Sequence, residues 1–246
     1  MLPILFQDDQ LVVVNKPSGL LVHRSSIDKS ADEFALQLVR DQMGQKVFPV
    51  HRLDRPTSGA LIFAFTAAGA RSLSLEFSGG RVKKSYLAIV RGNPADQLTV
   101  DYPLLENWDS KSDFRTRRDK PKQTAVTEFS NLANIEFDIC VDKFPTSRYS
   151  LIKAQPKTGR KHQIRKHLHH VCHPIIGDVN YGNGKHNRFF KEKFKINRLL
   201  LACTEISFLH PTENKICMVN APLSADFQNL VEQLGWRDQI ILNSPR

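Results

Sequence analysis

The chain has 246 residues, 41% of them hydrophobic and 24% charged, proportions of a folded globular protein rather than a disordered one. Thirty-five Lys and Arg against 25 Asp and Glu leave a net charge of +10, which suits a polyanionic partner and disfavours a basic one. No run approaches the roughly 18 apolar residues of a membrane span, and the opening MLPILFQDDQ lacks the basic head and apolar run of a signal peptide. A reducing aqueous compartment, the cytoplasm, is therefore expected.

In chain order, short β-rich runs come first: Ile4–Gln7, Leu11–Asn15 and Leu20–His23, the last two separated by a Lys16-Pro17-Ser18-Gly19 turn. Asp32–Met43 reads as a helix with Phe34, Leu38, Val39 and Met43 on one face and Gly44 as its stop. Val47–Val50 reads as a strand leading into His51–Gly59. Ala60–Thr66 is a continuous apolar strand, predicted to be buried on both faces. A helix over Ala67–Phe77 ends at Gly79-Gly80. Tyr86–Arg91, Val126–Phe129, Ile135–Val141 and Tyr149–Ala154 read as strands, and Asp109–Gln123 as a basic loop or exposed ribbon. Arg160–Val171 reads as a helix whose buried stripe is Ile164, Leu168 and Val171. Leu199–Leu209 and Ile216–Val219 read as paired strands. The last helix has Ser224 as N-cap, Phe227, Leu230, Val231 and Leu234 as its apolar face, and Gly235 past its end. Strands outnumber helices and seldom alternate with them, which predicts an α+β fold with a large, mainly antiparallel sheet and flanking helices.

Asp54 follows an apolar strand, lies between Arg52 and Arg55, and precedes a Pro-Thr-Ser-Gly turn. Two guanidiniums would keep such a carboxylate ionised, ready to act as nucleophile or base without a metal. An Asp in this setting also serves as a plain turn residue bonding its own backbone. From Lys153 to His170 there are six Lys or Arg and no acid. The Thr158-Gly159 turn opens a helix whose N-terminal N–H groups favour an anion, which makes Arg160, Lys161, His162 and Gln163 candidate substrate contacts; the alternative is a solvated basic face. Arg165 adjoins the stripe, and a guanidinium held there needs a carboxylate, for which Asp54 is the candidate. Tyr86 opens a strand behind Lys83 and Lys84, either as a base-stacking platform with Lys84 beside it or as a core aromatic.

His162, His167, His169, His170, Cys172 and His173 do not make a zinc site by spacing: Pro174 ends the helix, and no Glu follows the first His as in a metalloprotease. Cys140, Cys172, Cys203 and Cys217 form no C-x-x-C pair, and each lies in or beside an apolar stretch, which predicts buried free thiols. Gly182 and Gly184 are too little for a phosphate loop, so neither metal nor nucleotide cofactor is expected.

Several segments resemble, in order, motifs of the RluA family of pseudouridine synthases. HRLDRPTSG at His51–Gly59 is similar to H-R-L-D-x-x-T-S-G, and NKPSG at Asn15–Gly19 to the family's opening motif. KKSYLAIVRG at Lys83–Gly92, KTGRKHQIRKHL at Lys157–Leu168, HPIIGDVNYG at His173–Gly182 and RLLLACTEISFLHP at Arg198–Pro211 resemble the later ones. The segment LVHRSSIDKS at 21–30 most resembles a branch that modifies uridine 65 in the T-arm stem region of tRNA. Leu201-Ala202-Cys203 departs from the Leu-His-Ala often found in relatives.

The resemblance implies one catalytic domain over residues 1–246 with no N-terminal RNA-binding extension. It implies Asp54 as the catalytic carboxylate, Arg165 as its ion-pair partner, Tyr86 against the target uracil and Arg52 filling the gap left by a flipped base. The reaction breaks N1–C1′, turns the uracil and joins C5 to C1′, an isomerisation that needs no cofactor. The expected partner is RNA, tRNA ahead of large-subunit rRNA, bound by a monomer away from any membrane through Lys111–Lys122, Lys153–Lys166 and Lys185–Arg198. A non-catalytic RNA-binding module would have no use for an Asp between two arginines. A glycosidase normally needs two carboxylates, and only Asp54 stands out.

Overall fold

The computed structural model describes residues 1–23, 33–105 and 121–242. Ten strands and six helices lie among them, in the order β1 (Ile4–Gln7), β2 (Leu11–Lys16), α1 (Ala35–Met43), β3 (Phe48–Pro49), β4 (Ser58–Ala64), α2 (Ala67–Ser78), β5 (Lys83–Arg91) and β6 (Gln97–Asp101), then β7 (Val126–Phe137), β8 (Ser147–Pro156), α3 (Gln163–His170), α4 (Gly184–Phe194), β9 (Leu201–Leu209), β10 (Ile216–Asn220), α5 (Ala225–Gln233) and α6 (Arg237–Leu242). All strands join one sheet ordered β1-β2-β4-β9-β5-β8-β7-β6, with β3 paired to β4 and β10 to β9. The β4–β9 pair is parallel and the other named pairs are antiparallel, so the α+β expectation holds.

Every residue of β4 is buried, and its apolar stretch Ala60–Ala64 is buried as predicted, whereas Phe65 is half-buried and Thr66 exposed. Leu61, Ile62 and Phe63 have no exposed surface and each contributes about 1.5–3 kcal/mol of burial. Helix α2 packs on β4 and β9, and α3 on β7 and β8, so the core runs under the whole sheet. Gly44 closes α1 with φ 63°, the left-handed conformation that its position as helix stop requires. Thr66 leaves the predicted strand to cap α2, accepting a hydrogen bond from Gly69 N at 3.0 Å.

Several expectations change. Leu20–His23 makes only an isolated bridge, Leu21 to Phe34, and α1 starts at Ala35 rather than Asp32, which with 21–30 partly falls outside the described residues. The two strands expected over 126–141 are one, β7, bent by a bulge at Leu132 and ending at Phe137. Helix α4 was not anticipated: its Lys-rich sequence reads as a charged surface, but Phe190 and His186 are buried beneath it. Ser224 precedes α5 without capping it, because its hydroxyl bonds Asp226 Oδ1 and receives Arg198. Cys203 and Cys217 are buried on strands β9 and β10, whereas Cys140 and Cys172 are exposed because they lie past the ends of β7 and α3. The basic loop over 109–123 and the RNA surface at Lys111–Lys122 lie mostly outside the described residues.

Candidate active site

The loop from β3 to β4 carries Asp54, and its shape comes from its neighbours. Thr57 N donates to Asp54 O at 3.0 Å, closing a tight turn over Arg55 and Pro56. Because β2 is antiparallel to β4, with Lys16 opposite Gly59, the Lys16–Leu20 turn lies against this loop. Lys16 has no exposed surface, and its Nζ donates to three carbonyls: Leu20 (2.8 Å), Pro17 (2.9 Å) and Arg55 (3.1 Å). Burial and the nearby Arg198 push its pKa down to about 7. Only a protonated amine offers three donors, so the three carbonyls pull the other way and favour the ammonium. Ser18 Oγ donates to Pro56 O, and Gly19 N to Arg55 O, completing a clasp on the residues after Asp54.

Behind the loop, Gly59 has φ 112° and its backbone presses on β9: a Cβ there would stand 2.1 Å from the Cys203 carbonyl oxygen. Arg198 secures the same end by donating from Nη2 to Ser58 Oγ at 2.7 Å. Its side chain is 10% exposed, so this member of the expected RNA surface Lys185–Arg198 is a buried strut.

Asp54 is paired as expected, and the pairing extends further. Arg165 Nη1 reaches Asp54 Oδ2 at 3.2 Å, while Arg165 Nε and Nη2 grip both oxygens of Asp178 at 2.7 and 2.9 Å. Arg165 and Asp178 are 3% and 1% exposed. Asp178, missed by sequence reasoning, thus takes the bidentate fork and leaves the third guanidinium nitrogen for Asp54. Asp178 Oδ1 also accepts from Asn180 N and Tyr181 N, and with Arg165 these bonds hold its pKa below the usual value against burial. On the other flank of Asp54, Arg55 Nε donates to Gly19 O at 3.0 Å.

His162 approaches from the other side. It precedes α3 in the left-handed conformation, φ 57°, with Nε2 3.8 Å from Asp54 Oδ1 and Nδ1 3.0 Å from Tyr181 Oη. Tyr181 lies 5.1 Å from the Arg165 guanidinium through its ring. Burial takes His162 down to about 4, with Asp54 opposing and Arg165 assisting, so it is neutral at pH 7.

Tyr86 lies on β5 opposite Cys203, where a bulge at Thr204 shifts the β5–β9 register. It is 9% exposed at the cleft wall, and burial, then Cys203 and Asp54, raise its pKa well above an ordinary phenol, so it keeps its proton. His51 stacks on Phe77 at 4.5 Å, and its Nε2 accepts from Ile62 N at 3.2 Å. Burial and Lys84 hold His51 neutral, at about 3.

Asp54, Arg165, His162, Tyr86 and His51 line an open cleft of about 760 Å³. Arg52, Lys84, Lys157, Arg160 and Lys161 surround it, with Arg52 and Arg160 exposed. Gln163 departs from its expected RNA contact: it is 5% exposed, and its amide bonds Thr158 Oγ1, Arg160 N, Val126 O and Thr127 Oγ1. That side chain shapes the Thr158–Arg160 turn from within. Lys16, Asp178 and Tyr181 lie in NKPSG and HPIIGDVNYG, segments legible as motifs but silent on their individual roles. No group of three or more His, Cys, Asp or Glu among the described residues could hold a metal. No helix among them is long and apolar enough to cross a membrane.

One carboxylate in a cationic cleft, on a mainly antiparallel sheet, is an arrangement that suits an enzyme acting on a polyanion, and the match to a known family gives its class, the pseudouridine synthases. The family described as RNA pseudouridylate synthase matches residues 10–170, and the chain belongs to it. A protein named tRNA pseudouridine synthase C from Vibrio cholerae is 46% identical over 244 residues, 99% of this chain and 100% of that one. A protein of the same name from Haemophilus ducreyi is 47% identical over 235 residues, 96% of each. The structure titled Human RNA Pseudouridylate Synthase Domain Containing 4 superposes with TM-score 0.71 at 25% identity, covering 95% of this chain and 93% of that one.

Proposed function

We propose that the protein converts uridine 65 of tRNA to pseudouridine, with Asp54 as the reacting carboxylate, Tyr86 against the uracil and Arg165 holding Asp54 in place. The observation that carries the chemistry is that Asp54 lines the cleft with one oxygen tied to Arg165 and the other 3.8 Å from His162 Nε2, beyond hydrogen-bond reach. Its side chain is 18% exposed, accessible to a flipped nucleotide yet anchored. The choice of tRNA draws on the names of relatives near 46% identity, and the position on the sequence likeness at 21–30. Flipping the uridine costs a few kcal/mol, which phosphate contacts with the rim cations would offset, with Arg52 in the vacated stack.

The test uses tRNA tritiated at uracil C5, since forming the C5–C1′ bond releases that hydrogen. Wild-type protein should release tritium and Asp54→Asn should release none while still binding tRNA. Release of free uracil would mark a glycosylase instead. Pseudouridine mapping in cells lacking the protein decides the position: a modified residue 65 there would overturn the finer assignment, and loss of an rRNA pseudouridine would redirect it.

A further inference from the structure

Five contacts form a loop that begins and ends on Asp54. Its Oδ2 meets Arg165 at 3.2 Å; Arg165 grips Asp178; Asp178 Oδ1 accepts from Tyr181 N at 3.1 Å. Tyr181 Oη then meets His162 Nδ1 at 3.0 Å, and His162 Nε2 faces Asp54 Oδ1 at 3.8 Å. The last gap is longer than a hydrogen bond, so Oδ1 keeps its lone pairs for substrate while Oδ2 is tied.

We infer that Tyr181 and His162 are a positioning pair for Asp54, in which the Tyr181 hydroxyl fixes the imidazole so that its Nε2–H points at Oδ1 and marks that oxygen as the reacting one. The inference rests on the synthase reading above and deepens it.

The direction of the hydrogen bonds follows from charge. A neutral imidazole has one N–H and one bare nitrogen. With Nδ1 protonated, the bare Nε2 lone pair would face the carboxylate and repel it; with Nε2 protonated, the N–H attracts it. The second tautomer makes Nδ1 an acceptor and requires Tyr181 to donate. Burial raises the Tyr181 pKa, which keeps that proton in place. His162 also holds a left-handed backbone that a β-carbon disfavours, so surrounding contacts must offset that strain. Tyr181 supplies one such contact, and its own backbone is fixed by the Asp178 that holds Arg165. Both oxygens of Asp54 are thereby addressed from one anchor.

The experiment follows tritium release and KM for tRNA in wild type, Tyr181→Phe, His162→Ala, His162→Gln and the Tyr181→Phe/His162→Ala double variant. Tyr181→Phe keeps the ring on Arg165 and removes only the hydroxyl. It should lower kcat about tenfold with KM within twofold of wild type. His162→Gln, whose Nε2 reaches a similar point, should recover part of what His162→Ala loses, and the double variant should be no worse than His162→Ala. An unchanged kcat in Tyr181→Phe, an effect confined to KM, or multiplying losses in the double variant would overturn the inference. Nitrogen-15 NMR of the wild-type imidazole tests it without any variant: Nε2–H is expected, and Nδ1–H refutes it. If wild type itself releases no tritium, the synthase reading fails, a different outcome from any of these.

Discussion

The Lys16 ammonium, wholly buried, donates to the carbonyl of Arg55 at 3.1 Å, one residue past the Asp54 carboxylate. The β2–β4 pairing brings the two turns together, and the ammonium joins them through three carbonyls. Replacing Lys16 with Met should leave the Pro17 and Leu20 carbonyls without this donor, at about 1–3 kcal/mol for each that water does not reach, while Arg55 O keeps its bond from Gly19 N. Urea denaturation should show a loss of about 3 kcal/mol, with kcat falling more than KM rises. A variant as stable and active as wild type would mean that the clasp is dispensable.

Asp178 is the main anchor of Arg165. Asp178→Asn keeps an acceptor for the Asn180 and Tyr181 N–H groups but leaves the buried guanidinium with Asp54 alone. Breaking a buried pair from one side costs about 3–5 kcal/mol. Tritium release should drop at least a hundredfold as Arg165 loses its orientation. Arg165→Lys should fail similarly, because an ammonium lacks the fork that serves two carboxylates.

Three histidines set an acid limit on stability. His51, His162 and His186 are pushed to about 3, 4 and 4, each mainly by burial. His186 receives or gives one bond, to Tyr149 Oη at 2.8 Å, and its Nε2 has no partner among the described residues. Unfolded, all three titrate near 6.5, so between about 6.5 and 4 the unfolded chain binds more protons. The stability is complete above 6.5 and is lost as pH falls, by up to about 1.4 kcal/mol per pH unit for each histidine. Urea midpoints at pH 7, 6 and 5 should fall accordingly; a flat profile down to pH 5 would contradict this.

The exposed rim cations should act on binding rather than on chemistry. Arg52→Ala and Arg160→Ala should each raise KM and reduce the salt slope of tRNA binding by about 0.7–0.9 if that residue meets a phosphate. An unchanged slope would remove that residue from the contact surface. A loss in kcat alone for Arg52→Ala would point to base flipping, the role its resemblance implies.

Gly59 should tolerate no side chain. In Gly59→Ala the new Cβ would meet the Cys203 carbonyl at 2.1 Å, in a backbone conformation that L residues avoid. The β4–β9 pairing should open, lowering the melting temperature by more than 10 °C or leaving the protein insoluble.

The sequence by itself determined the elements with unbroken pattern and the residues in dense motifs. β4 was legible because the apolar run Ala60–Phe65 leaves no polar face, and α1 because its period ends at a glycine. Asp54, Arg165 and Tyr86 were legible because a carboxylate between arginines, a guanidinium beside an apolar stripe and an aromatic behind lysines each stand out locally. Helix α4 was not, since Lys and Phe alternate there too irregularly for one face to show. Burial of Gln163, Arg198 and Lys16 was not legible either, because a charge or amide reads as surface until its partners are known. Those partners, Thr127, Ser58 and the carbonyl of Arg55, lie 36, 140 and 39 residues away. Tertiary structure alone decided that Asp178 holds Arg165 and that Tyr181 reaches His162. Hydrogen bonds and ion pairs act over about 3 Å, and only the folded sheet sets which distant segments meet at that distance.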